Sequence, residues 1–367
     1  MKKVLLFLFI IPQLSYSQSN SEEKKLNQLF EKIENYENRF DAMGMIYQGK
    51  HPNIGFEKIN EETYQKTGEE IARFISQLEE IKGEQLERQA YINKEIMLMH
   101  LKDRVSDIQY KMYLIPFNAE GGFYNRMSRS VARLPFKTAE DYEAYLQWLP
   151  SYANHLKDYR ELLELGIKEG IIAPKVIVNN TLKLLTPWNN TDPTKSPFYA
   201  PFNEIPNDFS EEIKTNLQEK GKEVIKNSTT AFYTDFTKFL ETEYMNAAPQ
   251  KPGVGLLPKG KKYCEDRVRF YTTFNITPDS VHRLGLEEVA RIKKQMETVI
   301  QEVEFEGFFA DFLAFLRTDE QFYAKTLQEI LNHAAWLSKR AEVGLPQLFN
   351  SLYLLPFTVA PVPAELI

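Results

Sequence analysis

Residues 261–367 read KKYCEDRVRFYTTFNITPDSVHRLGLEEVARIKKQMETVIQEVEFEGFFADFLAFLRTDEQFYAKTLQEILNHAAWLSKRAEVGLPQLFNSLYLLPFTVAPVPAELI, and this stretch decides the fold class. Thr277 followed by Pro278 is a helix start: a hydroxyl that accepts orphan amide protons, then a residue with no amide to orphan. Behind it Leu286, Val289, Met296, Val299 and Val303 recur three, four or seven residues apart, with Ile292 and Ile300 on the same side. One apolar stripe on a long helix gives that pattern. From Thr277 to Glu304 such a helix is about 42 Å long at 1.5 Å per residue. A rod of that length is a scaffold, and its stripe needs other helices to cover it.

Working outward, the residues after Glu304 predict a short helix from Phe308 to Arg317 and another from Thr326 to about Ala341, where Thr326 and Glu329 form a capping box. Residues 353–367, with Pro356, Pro361 and Pro363, lose all periodicity. Upstream, Pro249, Pro252, Gly253, Gly255 and Pro258 make a break, preceded by a helix from Ser210 to about Ala247. Pro187, Pro193, Pro197, Pro201 and Pro206 punctuate the segment before that, which reads as a long ordered crossover inside one helical domain. Pro174 opens a helix through Val176, Ile177 and Leu184. Thr138 with Asp141 is a capping box, opening a helix towards Leu165 that Pro150 is expected to kink or divide. Earlier helices follow from Leu26, Leu29, Phe30, Ile33 and Phe40, from Ile71, Phe74, Ile75, Leu78 and Ile81, and from Ile92 onward to about Leu114. No row of alternating strands, internal repeat or low-complexity tract interrupts them. The expectation is an all-α fold, an irregular array of many helices, over residues 18–367 as a single domain.

The first seventeen residues have the pattern of a secretory signal peptide: Lys2 and Lys3, the apolar run Val4–Ile11, then small residues at Ser15-Tyr16-Ser17. Eight apolar residues are too few to span a bilayer, which takes about 20, and no later run is long enough. The chain is therefore expected to be exported, to the periplasm or the extracellular space, without a transmembrane segment. Without the leader it has 43 basic and 51 acidic residues, a net charge of −8. A mildly acidic chain with no basic stripe is a poor partner for nucleic acid. The single cysteine, Cys264, has no intramolecular partner and no base named beside it, so it reads as a buried, inert thiol.

Chemistry is hard to place. The histidines are His51, His100, His155, His282 and His333; none belongs to an HExxH motif, and zinc needs three or four converging ligands. There is no nucleophile elbow and no phosphate loop. Glu287, Glu288, Glu302, Glu304 and Glu306 read as a solvated face. Four N-x-T sequons, at Asn179, Asn189, Asn227 and Asn275, read as chance. Two features stand out as candidate substrate-binding elements. Gly121-Gly122 after Asn118 is either a connecting turn or a loop whose bare backbone lets an extended ligand approach. Arg317 with Tyr323 offers a guanidinium for a substrate carboxylate, or else Arg317 caps its helix or pairs with Asp319 or Glu320.

Six segments resemble a known family: YLIPFNAEGGFYNRM, PFKTAEDYEAYLQWL, GIKEGIIAPKVIVNNTL, TPDSVHRLGLEEVARIKKQM, FADFLAFLRTDEQFYAKTLQEIL and LPQLFNSLYLLPFTVAPVPA, in that order. The chain is similar, over nearly all of its mature length, to the bacterial domain-of-unknown-function 885 family. Full-length members resemble all-helical zinc metallopeptidases whose HExxH-like helix follows well beyond the PVPA segment. The resemblance implies zinc and a peptide or small-molecule substrate for the full-length pattern. It implies no cofactor and no catalytic residue for this chain, which is expected to stop short of the metal helix and to be inactive alone. The alternative is a non-catalytic, ligand-binding helical protein of the cell envelope.

Overall fold

The computed structural model describes residues 21–352 except 41, 51–54, 127–130 and 132, and also residues 357–362. The signal-peptide reading, His51 and the last prolines of the chain other than Pro361 lie outside the described residues. The fold is all-α, with one two-residue hairpin. Packing divides the chain into two units, Met1–Asn275 and Ile276–Ile367.

The first unit opens with α1 (Ser21–Glu37), α2 (Ala42–Tyr47), α3 (Glu61–Glu80) and α4 (Arg88–Gln109). The helical spacing read from the sequence puts Leu26, Leu29 and Ile33 of α1 against Ile71, Phe74 and Leu78 of α3 and Leu98 and Leu101 of α4, a small core of its own. Asn60 caps α3, its side-chain oxygen taking the Thr63 amide at 2.8 Å.

The main core surrounds α5 (Ala139–Glu169). Its start is the expected capping box: Thr138 Oγ1 accepts the Asp141 amide at 3.3 Å, and Asp141 Oδ2 accepts the amides of Thr138 at 3.0 Å and Lys137 at 2.9 Å. Pro150 does not divide this helix, which runs unbroken for 31 residues to a left-handed Gly170. A proline in a helix interior costs about 3 kcal/mol. Around it Trp148, Leu149, Tyr152 and Ala153 are all buried, and each large apolar side chain so placed contributes about 1.5–3 kcal/mol. Burial on the flanks outweighs the lost hydrogen bond.

Next come α6 (Lys175–Leu185), a crossover with short 3-10 turns at Pro193–Lys195 and Pro197–Tyr199, and α7 (Ala200–Asn203). The crossover is ordered, because Phe198, Tyr199 and Phe202 are buried in the main core. From Glu211 to Ala247 the chain is helical throughout, as α8 (Glu211–Ile225), α9 (Ala231–Phe239) and α10 (Met245–Ala247) joined by two π-helical turns, Lys226–Thr230 and Leu240–Tyr244. α11 (Gly260–Thr272) closes the unit. Cys264 on α11 is partly exposed rather than buried.

The second unit contains α12 (Pro278–Glu302), α13 (Phe309–Thr318) and α14 (Leu327–Leu348). Thr277 caps α12 as expected, taking the Ser280 amide at 3.2 Å. Thr326 takes the Glu329 amide at 3.2 Å, but the Glu329 carboxylate reaches one residue further back, to the Lys325 amide at 2.7 Å. α14 continues past Ala341, where the sequence reading stopped it, through Pro346 to Leu348. Phe305, Phe312, Phe315 and Phe322 form a local aromatic group with ring centroids 5.1–5.2 Å apart in successive contacts. The stripe on α12 is not covered: Leu286, Val289, Ile292, Met296, Val299 and Val303 are all exposed, and Ile300 alone among the described residues of this unit is buried.

Candidate functional site

The glycine pair predicted to be a turn or an open loop forms a tight antiparallel hairpin. β1 (Phe117–Asn118) faces β2 (Gly121–Gly122), with Phe117 opposite Gly122 and Asn118 opposite Gly121. Asn118 shapes the tip, its Oδ1 accepting the amides of Glu120 at 2.9 Å and Gly121 at 3.2 Å. Both glycines are required by close approach. A Cβ on Gly121, held at φ +155°, would lie 2.6 Å from Asn125 Nδ2, and one on Gly122 would lie 2.5 Å from Phe117 Cβ. The buried Asn125 also accepts the Gly122 amide at 3.1 Å. Local closure thus explains the glycines, and it leaves a half-buried strip of bare main chain at Gly121-Gly122.

The hairpin stands on an aromatic floor. Phe123 stacks on Tyr159 of α5 at 4.5 Å and meets Phe236 of α9 edge-on at 5.4 Å. Phe117 leans on Tyr244 at 5.8 Å. The Tyr233 hydroxyl donates to the Tyr124 carbonyl at 2.5 Å, and the Tyr244 hydroxyl accepts the Ala173 amide at 2.9 Å. These two tyrosines follow or end the two π turns. A π turn shifts the helix face that later residues present, and such turns are frequent at functional sites; here they aim two hydroxyls at the backbone around the hairpin.

His155, one turn before Tyr159, stacks on Phe56 at 4.4 Å and touches the Tyr159 ring edge-on at 5.3 Å. Burial pulls its pKa from 6.5 to about 4, helped by the charge of Arg126 and opposed by a backbone hydrogen bond with Glu57. Its Nδ1 is buried and has no hydrogen-bond partner among the described residues. Burial likewise raises the Tyr64 and Tyr159 phenols, with Arg126 opposing. At neutral pH the floor is therefore uncharged. His155 is half-buried overall, and an imidazole held between two rings and kept neutral reads as a packing group. What the arrangement offers is an aromatic platform carrying a half-buried strip of main chain, suited to lie alongside an extended or flat ligand.

Asn118, Gly121 and Gly122 are thus brought together. Arg317 and Tyr323 belong to the second unit, where the Tyr323 hydroxyl donates to the carbonyls of Arg317 at 2.7 Å and Leu316 at 3.3 Å. Tyr323, not Arg317, caps α13, and Arg317 makes no ion pair with Asp319 or Glu320. The two residues line a shallow, open dent together with Thr318, Glu320 and Lys325. Sequence reasoning missed the floor of the hairpin. The usable signal was the helical spacing of Tyr152, His155, Leu156 and Tyr159, which puts a histidine on the face that carries the core.

Among the described residues no three His, Cys, Asp or Glu side chains converge on a point where a metal ion would fit. His100, His282 and His333 are exposed on three different helices. Among the described residues, too, no helix is long and apolar enough to cross a membrane.

The family described as bacterial protein of unknown function (DUF885) matches residues 42–366. Among solved structures, the chain resembles the crystal structure described as "the putative lipoprotein from Colwellia psychrerythraea", with a TM-score of 0.75 and 16% identity, over 90% of this chain and 61% of that one. The two share a fold, and this chain spans about three fifths of the length of that protein. No curated protein matches.

Proposed function

The chain belongs to the DUF885 family of bacterial proteins, and from that premise we propose that it is the supporting part of a larger, exported, hydrolase-like protein. In the complete form a further helical layer, bringing a zinc site with it, lies against the second unit. Independently of that layer, the hairpin at Asn118–Gly122 lies alongside a peptide or another small substrate. By itself the chain holds its shape and turns nothing over. The observation that supports this reading is the uncovered stripe of α12, where Leu286 and Val289 remain 59% and 65% exposed. Helix formation along such a stripe is normally driven by burying it, and a contiguous exposed apolar face marks a surface made for a partner. The zinc ligands and the catalytic step belong, in this reading, to the additional layer. The leader at residues 1–17 supports export, and the description of the matched solved protein as a lipoprotein agrees with a place in the cell envelope.

A purified chain comprising residues 18–367 tests the proposal. It should show no zinc-supported hydrolysis of a mixed peptide library, and it should strongly enhance the fluorescence of a dye that reports apolar surface. Turnover that zinc restores after chelation would overturn the reading. The second reading, a self-standing ligand-binding protein without catalysis, has the closed aromatic core of the first unit in its favour. It predicts a soluble monomer that leaves the dye dark.

A further inference from the structure

Between α4 and α11, with Ile75 of α3 at one side, lies a cleft of about 530 Å³ that the hairpin site does not use. Its size suits a small molecule, for which pockets run from about 300 to 1,000 Å³. The central side chain is Arg267. Its terminal nitrogens pair with Asp103 and, at 3.6 Å, with Asp107. The rings of Tyr263 and Phe270 flank the guanidinium at 5.1 and 5.2 Å. Asp107 in turn accepts the Tyr263 hydroxyl at 3.0 Å, and Asp266 accepts the Tyr110 hydroxyl at 2.7 Å.

This network satisfies the ends of the guanidinium and leaves its side unsatisfied. Arg267 Nε is buried with no hydrogen-bond partner, and so are the Ser106 hydroxyl and Asp103 Oδ1, which line the same cleft, the latter in ion-pair contact with Arg267. A buried donor without an acceptor is unfavourable, and native folds seldom leave two in one place. The formal charges of the lining cancel: Lys102, Arg267 and Arg269 stand against Glu95, Asp103 and Asp266. The uncharged part of the wall is mostly apolar, with Leu98, Met99, Val105 and Phe270 beside Gln109 and Thr273. At the mouth Thr273 sits at φ +59°, a conformation unfavourable for a β-branched residue and often found beside functional sites.

We propose that this cleft binds an uncharged small molecule with an apolar body and a carbonyl acceptor of the amide or ester class, received by the Arg267 Nε–H and the Ser106 hydroxyl. A net-neutral lining gives neither an anion nor a cation an advantage, and desolvating either costs more than desolvating an amide. The acceptor satisfies the orphan donors while the body covers Met99 and Phe270.

Three probes with one apolar body separate the possibilities: phenylbutanamide, phenylbutanoate and phenylbutylamine, each titrated calorimetrically into the full chain. The amide should bind saturably and about tenfold more tightly than either charged probe. Ser106→Ala, which favours the helix, should weaken amide binding about five- to tenfold. Met99→Trp, which fills the cleft, should abolish it. Thermal melts establish that both variants fold, and Ser106→Ala alone decides the matter if Met99→Trp does not. Absence of saturable amide binding, equal binding of all three probes, or amide binding unmoved by Ser106→Ala would each overturn the proposal.

Discussion

Gly122 has room for a hydrogen and nothing larger. A methyl group there would meet Phe117 Cβ of the facing strand at 2.5 Å and the carbonyl of Pro116, the residue just before it, at 2.8 Å. Gly122→Ala should therefore cost about 1–3 kcal/mol, the usual penalty of overpacking. Gly285, inside α12 with nothing within 4 Å of its would-be Cβ, is the control; Gly285→Ala should gain up to about 1 kcal/mol from helix propensity. Denaturant unfolding of the two variants checks both signs. His155 makes a different prediction. In the folded chain it stays neutral down to about pH 4, against 6.5 in the unfolded chain. Between those values the unfolded state binds the additional proton. The stability tied to neutral burial is thus fully present above pH 6.5 and is lost as the pH falls towards 4. The full difference is on the order of 3 kcal/mol. His155→Phe keeps the stack on Phe56 and should remove that part of the pH dependence, read as the difference between two stability-against-pH curves.

At the level of elements, the caps were the most legible feature, because a cap is local chemistry. Thr138 and Asp141 hold the start of α5 by bonds spanning at most four residues. Thr138→Ala should cost about 1 kcal/mol, measured as a shift in the unfolding midpoint. Helix periodicity was legible for the same reason, and the glycine pair marked a chain reversal, though not the two-stranded hairpin that forms there. Three things were not local. Pro150 reads as a break, and only the core on both sides of it keeps α5 whole. The π turns at 226–230 and 240–244 leave no mark that separates KNSTT or LETEY from ordinary helix; buried Tyr233 and Tyr244, reaching for partners far away in sequence, fix them. The Arg267 network joins α4 to α11 across more than 150 residues, so neither its paired aspartates nor its orphan donors follow from spacing along one helix. Family resemblance, in contrast, was legible over nearly all of the mature chain, since it rests on long runs of residues, and the family matches residues 42–366.

For the whole molecule the question is what the α12 stripe is worth to the chain as it stands. Hydrophobic stabilisation scales with the apolar area removed from water. Val289 and Val299 keep 65% and 48% of their surface in water, so little of that stabilisation is present. Lysine at either position also has the better helix propensity. The double variant Val289→Lys, Val299→Lys should therefore melt within about 0.5 kcal/mol of the parent, while binding of an apolar-surface dye drops steeply. Leu149, fully buried in α5, is the counterpart: Leu149→Ala should lose about 2–5 kcal/mol. The pair separates two molecules with the same helices. If the double lysine variant unfolds as readily as Leu149→Ala, the stripe is already covered within this chain, and the proposal of an additional helical layer falls. If stability holds and the dye signal disappears, the face is open, and the long rod that the sequence reading took for a scaffold is one that supports something laid against it.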